Sequence, residues 1–88
     1  MPSSIIEEPL YKEQIEALRI DWRRLDDAFQ EVEHAILAVP DIFPQVPGTK
    51  LRRVQLVGFN DVPPLSIFFA VVGENAHLVA AELITGED

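Results

Sequence analysis

Apolar residues recur along the first half of the chain with the spacing of a single helix face. They follow one another at alternating steps of three and four residues: Ile15, Leu18, Trp22, Leu25, Phe29, Val32, Ile36 and Val39. Such steps place the side chains on one stripe of an α-helix. Pro9 precedes the stripe and suits the first turn of a helix. Val39-Pro40 ends it, because the residue before a proline is displaced from the α region.

The stripe fits either one helix or two. One helix from about 10 to 39 would present a narrow seam to a partner helix, as in a coiled coil. Alternatively, Asp21 lies in the middle of the stripe, and its short polar side chain can cap a second helix, giving a helical hairpin across a sheet. A helix of about 30 residues is long for a domain of this size, which favours the hairpin.

The second half of the chain changes to strand patterns separated by turn residues. Pro47-Gly48 suits the centre of a type II turn, and Gly73 begins a hairpin turn. The strand-like runs are 51–59, 65–72 and 77–84, with a short strand before Pro9 at 3–7. We therefore predict a single α+β domain of order β-α-α-β-β-β, with a helical hairpin packed on one face of a small, mostly antiparallel sheet. Its parts are the strand and helices of 1–39, a Pro-rich linker at 40–49 and the antiparallel strands of 50–84.

The run 65–72 is apolar on both of its faces. Leu65, Ile67, Phe69 and Val71 alternate with Ser66, Phe68, Ala70 and Val72. A two-layer domain covers only one face of its sheet. We therefore expect Phe68 and Val72, together with Val57, to form an exposed apolar patch that marks a partner surface. The alternative is that the linker 40–49 covers them.

Composition and charge narrow the class of protein. Fifteen acids against seven lysines and arginines give a net charge of −8, which disfavours broad binding to nucleic acid or anionic lipid. The chain has no cysteine, so it has neither a disulfide framework nor a thiolate metal site. No apolar run approaches the roughly 20 residues of a membrane helix, and the first residues lack the pattern of a secretory signal. We expect a cytoplasmic protein.

Metal and cofactor sites are not expected. Glu31 and His34 form one Glu-x-x-His unit, but a di-metal bundle uses that unit twice. No phosphate-binding or dinucleotide fingerprint is present. His77 has a side chain suited to general base catalysis, but the sequence places no Ser, Cys or carboxylate beside it.

Positive charge collects at one place in the second half, at Lys50, Arg52 and Arg53. Phosphoryl-transfer chemistry uses cations aimed at the developing negative charge. The alternative is a solvated strand start whose arginines balance the protein's own acids. If the chain has an active site, we expect these three residues to line it, with Phe69 as a supporting aromatic.

Three strings carry a resemblance to a known family. They are Pro-Asp-Ile-Phe-Pro at 40–44, Val-Pro-Gly-Thr-Lys-Leu-Arg-Arg-Val at 46–54 and Val-Pro-Pro-Leu-Ser-Ile-Phe-Phe-Ala-Val at 62–71. With the helical pair before them, the stretch from Leu10 to Ile84 resembles the RelE/ParE superfamily of type II toxin–antitoxin toxins. The resemblance implies a small toxin held by an antitoxin protein or peptide. RelE-like members are metal-independent, ribosome-dependent mRNA endonucleases, whereas ParE-like members inhibit gyrase.

The match to the family is partial at the residues that carry its chemistry. Lys50, Arg52 and Arg53 match the basic cluster of its second strand. The arginine that the family has at the start of its third strand is replaced by Leu65 or Ser66, and the C-terminal basic or tyrosine residues are replaced by the segment 85–88. Two functions therefore stay open. One is a toxin acting on RNA or gyrase, and the other is a catalytically silent protein-interaction or homodimerisation module with the same fold.

Overall fold

The computed structural model describes residues 2–18, 22–56 and 64–84, of which 22–25 are described by their backbone alone. Within these ranges the chain forms two α-helices and a four-stranded sheet, which confirms the predicted α+β fold. The elements are β1 (Ser4–Glu7), α1 (Pro9–Ala17), α2 (Trp22–Ala38), a short 3₁₀ turn (Pro40–Ile42), β2 (Arg52–Leu56), β3 (Leu65–Val72) and β4 (Asn75–Leu83). None of the helices found there is long and apolar enough to cross a membrane.

The helical part is the predicted hairpin and not one long helix. Pro9 occupies the first turn of α1, after Glu8 in an extended conformation. This is the position in a helix where the missing proline N–H costs nothing. The second helix ends at Ala38, immediately before Val39-Pro40 as predicted. The proposed cap, Asp21, lies outside the described residues.

The sheet has the strand order β1-β4-β3-β2. Its last three strands form an antiparallel meander, and β1 pairs in parallel with β4, with Ser4 opposite Asn75. The last strand begins two residues earlier than predicted, because Gly73 and Glu74 alone make the turn. Gly73 has a φ of 61°, which favours glycine in such a tight connection.

The core lies between the helices and one face of the sheet. Leu65, Ile67 and Phe69 from β3 are almost fully buried there, as the alternation predicts. The other buried apolar residues are Tyr11, Ile15, Ala28, Phe29, Val32, Ile36, Val54, Ala76, Leu78 and Ala81. Val39 and Val71 belong to the same apolar patterns but are 46% and 39% exposed, because Val39 follows the end of α2 and Val71 lies near the end of β3. The side chain of Trp22 lies outside the described residues.

The Pro-rich linker follows the outer edge of β2. The Val46 N–H donates to the Leu51 carbonyl at 2.8 Å, and the Arg53 N–H donates to the Pro44 carbonyl at 3.0 Å. Gly48, with a φ of 78°, stands in the predicted turn, which is closed by a bond from the Thr49 N–H to the Val46 carbonyl. The linker thus pairs with backbone groups of a strand edge that would otherwise invite association with another chain.

Candidate functional site

The pleat of β2 separates the two arginines of the predicted basic cluster. Arg52 lies opposite Phe69 and Arg53 lies opposite Phe68 in the β2–β3 register. Since successive residues of a strand point to opposite faces, the two guanidinium groups leave opposite sides of the sheet. Lys50 is exposed, between the linker and β2. The structure therefore does not place Arg52 and Arg53 around one common site.

Arg52 holds the linker against the sheet. Its Nη1 donates to the Phe43 carbonyl at 2.7 Å, and its Nη2 lies 3.6 Å from the Asp41 carboxylate. The Phe43 ring beside it packs edge-on against Phe69, with 5.7 Å between the ring centroids. Arg52 is therefore already engaged by the fold on the helix side of the sheet.

Arg53 is also bound within the protein, on the other face. Its Nε donates to the Ser66 hydroxyl at 3.0 Å, and Ser66 is 1% exposed. Arg53 and Phe68 line a shallow groove of about 200 Å³ with the linker residues 44–47. Removing Arg53 takes a donor from a buried hydroxyl, which lowers stability as well as changing any chemistry.

The remaining predicted site residues differ in how far their side chains are exposed. Phe69 has no exposed surface, so it cannot contact a substrate directly, and its role as a supporting aromatic stays a prediction. Val72 is 63% exposed, in line with the predicted patch. Phe68 is half-buried in the groove beside the linker, as the alternative predicted. Val57 lies outside the described residues.

His77 has a carboxylate beside it that the sequence did not indicate. Its Nδ1 lies 3.2 Å from Glu8 Oε1, across 69 positions of sequence. The parallel pairing of β1 with β4 makes this contact, because Ile6 lies opposite His77 and brings the end of β1 alongside. The pair joins the start of α1 to the sheet.

An apolar groove of about 400 Å³ lies where α2 ends. Its lining residues are Pro2, Ala38, Val39, Pro40, Asp41, Ile42 and Val71. Ile42 is 68% exposed, and Val39 and Val71 are exposed as described above. We call this surface the apolar groove. Among the described residues that line it, Asp41 alone carries a charged side chain.

A second cavity, of about 170 Å³, opens between β1, α1 and α2. It is lined by Glu7, Tyr11, Lys12, Ile15, Glu16, Asp26, Phe29 and Glu33. We call it the acidic cleft, because carboxylates from all three elements converge on it. The described residues contain no group of three His, Cys, Asp or Glu side chains arranged to hold a metal ion.

Tyr11 and Glu33 show how the acidic cleft perturbs its own groups. Tyr11 is 2% exposed, and its buried hydroxyl has no hydrogen-bond partner within the described structure. Burial, then the nearby carboxylates of Glu7 and Glu33, raise the pKa of this phenol. Burial, then Glu7 and Asp26, likewise raise the pKa of Glu33. Negative charge is therefore crowded at this site.

Comparison with known proteins assigns no family: no protein-family model matches the chain, and a search of curated proteins finds no match.

Proposed function

We propose that this chain is a catalytically silent domain of RelE/ParE-like architecture that acts by binding a partner protein, as a toxin binds its antitoxin. The observation that carries the proposal is the apolar groove. Val39, Ile42 and Val71 leave between 39% and 68% of their surface exposed around one concavity. Contiguous exposed aliphatic side chains around a concavity are typical of a protein-docking surface.

The environment of the arginines supports binding rather than catalysis. A nuclease of this type would need several cations turned toward one phosphate. Here Arg52 donates to a backbone carbonyl on one face of the sheet and Arg53 donates to Ser66 on the other. The net charge of −8 also opposes approach to a polyanion.

The order of elements supports the architecture. A strand, a helical pair, a linker and three further strands follow one another along the chain. This is the layout through which the sequence resembles the toxin family. The linker with Asp41 and Phe43, and β2 with its two arginines, are the segments that carry the quoted strings.

We expect Ile42→Glu to weaken partner binding strongly. The substitution places a carboxylate in the apolar groove, where a docked partner would remove it from water at a high cost. The measurement is co-purification of the tagged chain with the product of a short reading frame beside its gene, after co-expression. We expect about a tenfold or greater loss of bound partner, which corresponds to about 1.4 kcal/mol.

The matched control is Leu10→Glu. Leu10 is 51% exposed on α1 and is not among the residues that line the apolar groove, and its substitution changes the net charge by the same amount. We expect this variant to retain its partner. If both variants retain the partner equally, or if the unmodified chain binds none, the proposal is wrong.

Growth of a bacterial host should be unaffected when the chain is induced alone. We expect normal growth because Arg52 and Arg53 already donate hydrogen bonds to groups within the fold. The groove that Arg53 shares with Phe68 is the feature that favours the other outcome, an active toxin, because it combines a cation with an aromatic ring. Growth arrest that Lys50→Ala and Arg53→Gln together relieve would contradict catalytic silence.

Arg53→Gln is preferred to alanine in this test. The glutamine amide can still donate to the buried Ser66 hydroxyl, so the variant separates chemistry from stability. Its folding is checked by circular dichroism and by its yield in the soluble fraction. A folded variant that still arrests growth would place the toxicity elsewhere on the chain, and it would equally refute a silent domain.

A further inference from the structure

We propose that the groove beside Arg53 binds a carboxylate that is carried on an aromatic or aliphatic group. This groove lies on the face of the sheet opposite the helices, where Arg53 and Phe68 meet the linker residues 44–47. We call it the arginine groove. The inference does not rest on the apolar groove or on the partner protein proposed above.

The Arg53 side chain is fixed by a buried hydrogen-bond partner. Its Nε donates to the hydroxyl of Ser66 at 3.0 Å, and Ser66 is almost fully buried. A guanidinium has five N–H donors in one plane, and the bond to Ser66 uses one of them. The edge formed by Nη1 and Nη2 therefore keeps the geometry that binds a carboxylate through two parallel hydrogen bonds.

The charge of Arg53 has no carboxylate beside it within the part of the chain that the structure describes. The preceding residue, Arg52, lies 3.6 Å from the Asp41 carboxylate, whereas the one polar contact found there for the Arg53 side chain is with Ser66. Arg53 is also partly buried, and a partly buried cation is costly without a counter-charge. An anionic ligand would supply that counter-charge.

The arginine groove favours a ligand with a single negative charge. Of the lining residues that the structure describes, only Arg53 has a charged side chain. One guanidinium balances the charge of one carboxylate and matches its planar shape, whereas a phosphate dianion would be neutralised only in part. The net charge of −8 also disfavours a polyanion such as nucleic acid.

The rest of the arginine groove is mainly apolar. Its other lining residues are Pro44, Gln45, Val46, Pro47 and Phe68. The volume of about 200 Å³ is smaller than the roughly 300–1,000 Å³ of pockets for drug-sized ligands, so it suits one ring or one branched side chain. The ligand therefore combines a carboxylate with a small apolar body.

The linker wall of the arginine groove is fixed to the sheet. The Arg53 N–H donates to the Pro44 carbonyl, and the Val46 N–H donates to the Leu51 carbonyl. The two proline rings of this segment further restrict its backbone. The groove is therefore formed before a ligand arrives, so that binding requires little ordering of the protein.

The test is an NMR titration of the full-length, ¹⁵N-labelled chain with 3-phenylpropionate. Two control ligands separate the parts of the proposed group, because 3-phenylpropionamide has the ring without the charge and acetate has the charge without the ring. We expect saturable shifts of the Val46, Arg53 and Phe68 backbone amides with 3-phenylpropionate, and binding about tenfold weaker or worse for each control. The absence of saturable shifts, or equal binding of either control, would overturn the inference.

A pair of variants separates the site from the overall charge. Arg53→Gln keeps an amide that can donate to Ser66 but removes the positive charge, and we expect it to weaken 3-phenylpropionate about tenfold or more, because a hydrogen bond from a charged donor is lost. Lys50→Gln removes the same charge at an exposed position outside the groove lining, and we expect less than about a twofold change. Equal weakening by both variants would mean general attraction to positive charge and would refute a specific site.

Thermal unfolding of each variant shows whether lost binding is only lost folding. The two control ligands are tested on the unmodified chain, so the inference can fail even if Arg53→Gln does not fold. Ile42 does not line the arginine groove, and we expect Ile42→Glu to bind 3-phenylpropionate as the unmodified chain does. The proposed function and this inference can therefore fail separately.

The same ligand chemistry occurs in a free organic acid and in the C-terminal residue of a peptide. The tripeptide Gly-Gly-Phe, titrated beside 3-phenylpropionate, distinguishes these two sources. Binding of the tripeptide that is tighter by about tenfold or more assigns the site to a peptide C-terminus, and equal or weaker binding assigns it to a small acid. Either result supports a carboxylate site, whereas failure of both ligands to bind would refute it.

Discussion

Replacing Phe69 with alanine is expected to lower the free energy of unfolding by about 3–5 kcal/mol. Phe69 has no exposed surface, lies on the inner face of the central strand β3 and contacts the ring of Phe43. Its removal leaves a void between the sheet, the helices and the linker that the surrounding residues can fill only in part. Urea unfolding followed by circular dichroism measures the change.

Phe68 supplies the matched control, because it is the same residue type one position earlier in β3. It is half-buried and lies on the opposite face, against the linker. We expect Phe68→Ala to cost roughly half as much or less, since less buried surface is lost. Equal losses from the two variants would show that the assignment of the two faces of β3 is wrong.

Replacing Arg52 with methionine is expected to cost about 2 kcal/mol of stability. Methionine keeps an unbranched apolar stem of similar reach, so the change isolates the guanidinium group. The loss comes mainly from the short hydrogen bond to the Phe43 carbonyl, because a bond from a charged donor contributes about 1.5–3 kcal/mol. Chemical unfolding of both proteins at the same ionic strength gives the difference.

Asp41→Asn tests whether the ion pair supplies that stability instead. The Asp41 side chain is 93% exposed and its carboxylate lies 3.6 Å from Arg52, a geometry that contributes little in water. We expect a change within about 0.5 kcal/mol. A loss as large as that of Arg52→Met would assign the effect to the ion pair and not to the linker carbonyl.

The elements of this fold were predictable wherever a local signal fixes the backbone. Proline at position 9 and the Val39-Pro40 pair set the start of α1 and the end of α2, and Pro47-Gly48 set the linker turn. The predicted strand 65–72 matches β3, because a short apolar run between turn signals that is rich in β-branched and aromatic residues favours a buried strand. The helical periodicity alone could not separate one helix from two.

The candidate surfaces were less predictable, because they depend on where the helices and the sheet end and leave apolar side chains uncovered. Val39 continues the apolar stripe, but it lies beyond the last turn of α2, where no opposing strand covers it within the described structure. The burial of Tyr11 could have been predicted from the sequence, since Tyr11 stands four residues before Ile15 and extends the same apolar stripe by one step. The contact between Glu8 and His77 required the partner of β1, which no local pattern specifies.

The two arginines of the predicted basic cluster lie on opposite faces of β2. Lys50, Arg52 and Arg53 are neighbours in sequence, which does not make their side chains neighbours in space. Strand alternation already separates the side chains of Arg52 and Arg53. What the sequence did not show was that each arginine had a partner within the fold, the Phe43 carbonyl for one and the Ser66 hydroxyl for the other.

The parallel pairing of β1 with β4 has a consequence for the order of assembly during synthesis. Ser4 pairs with Asn75 and Glu7 pairs with Leu78, so β1 leaves the ribosome long before β4, the strand with which it pairs. The hairpin of β3 and β4 is local and can close early, whereas joining β1 requires the closure of a long loop. We therefore expect β1 to join the sheet last, after the helices and the meander have formed.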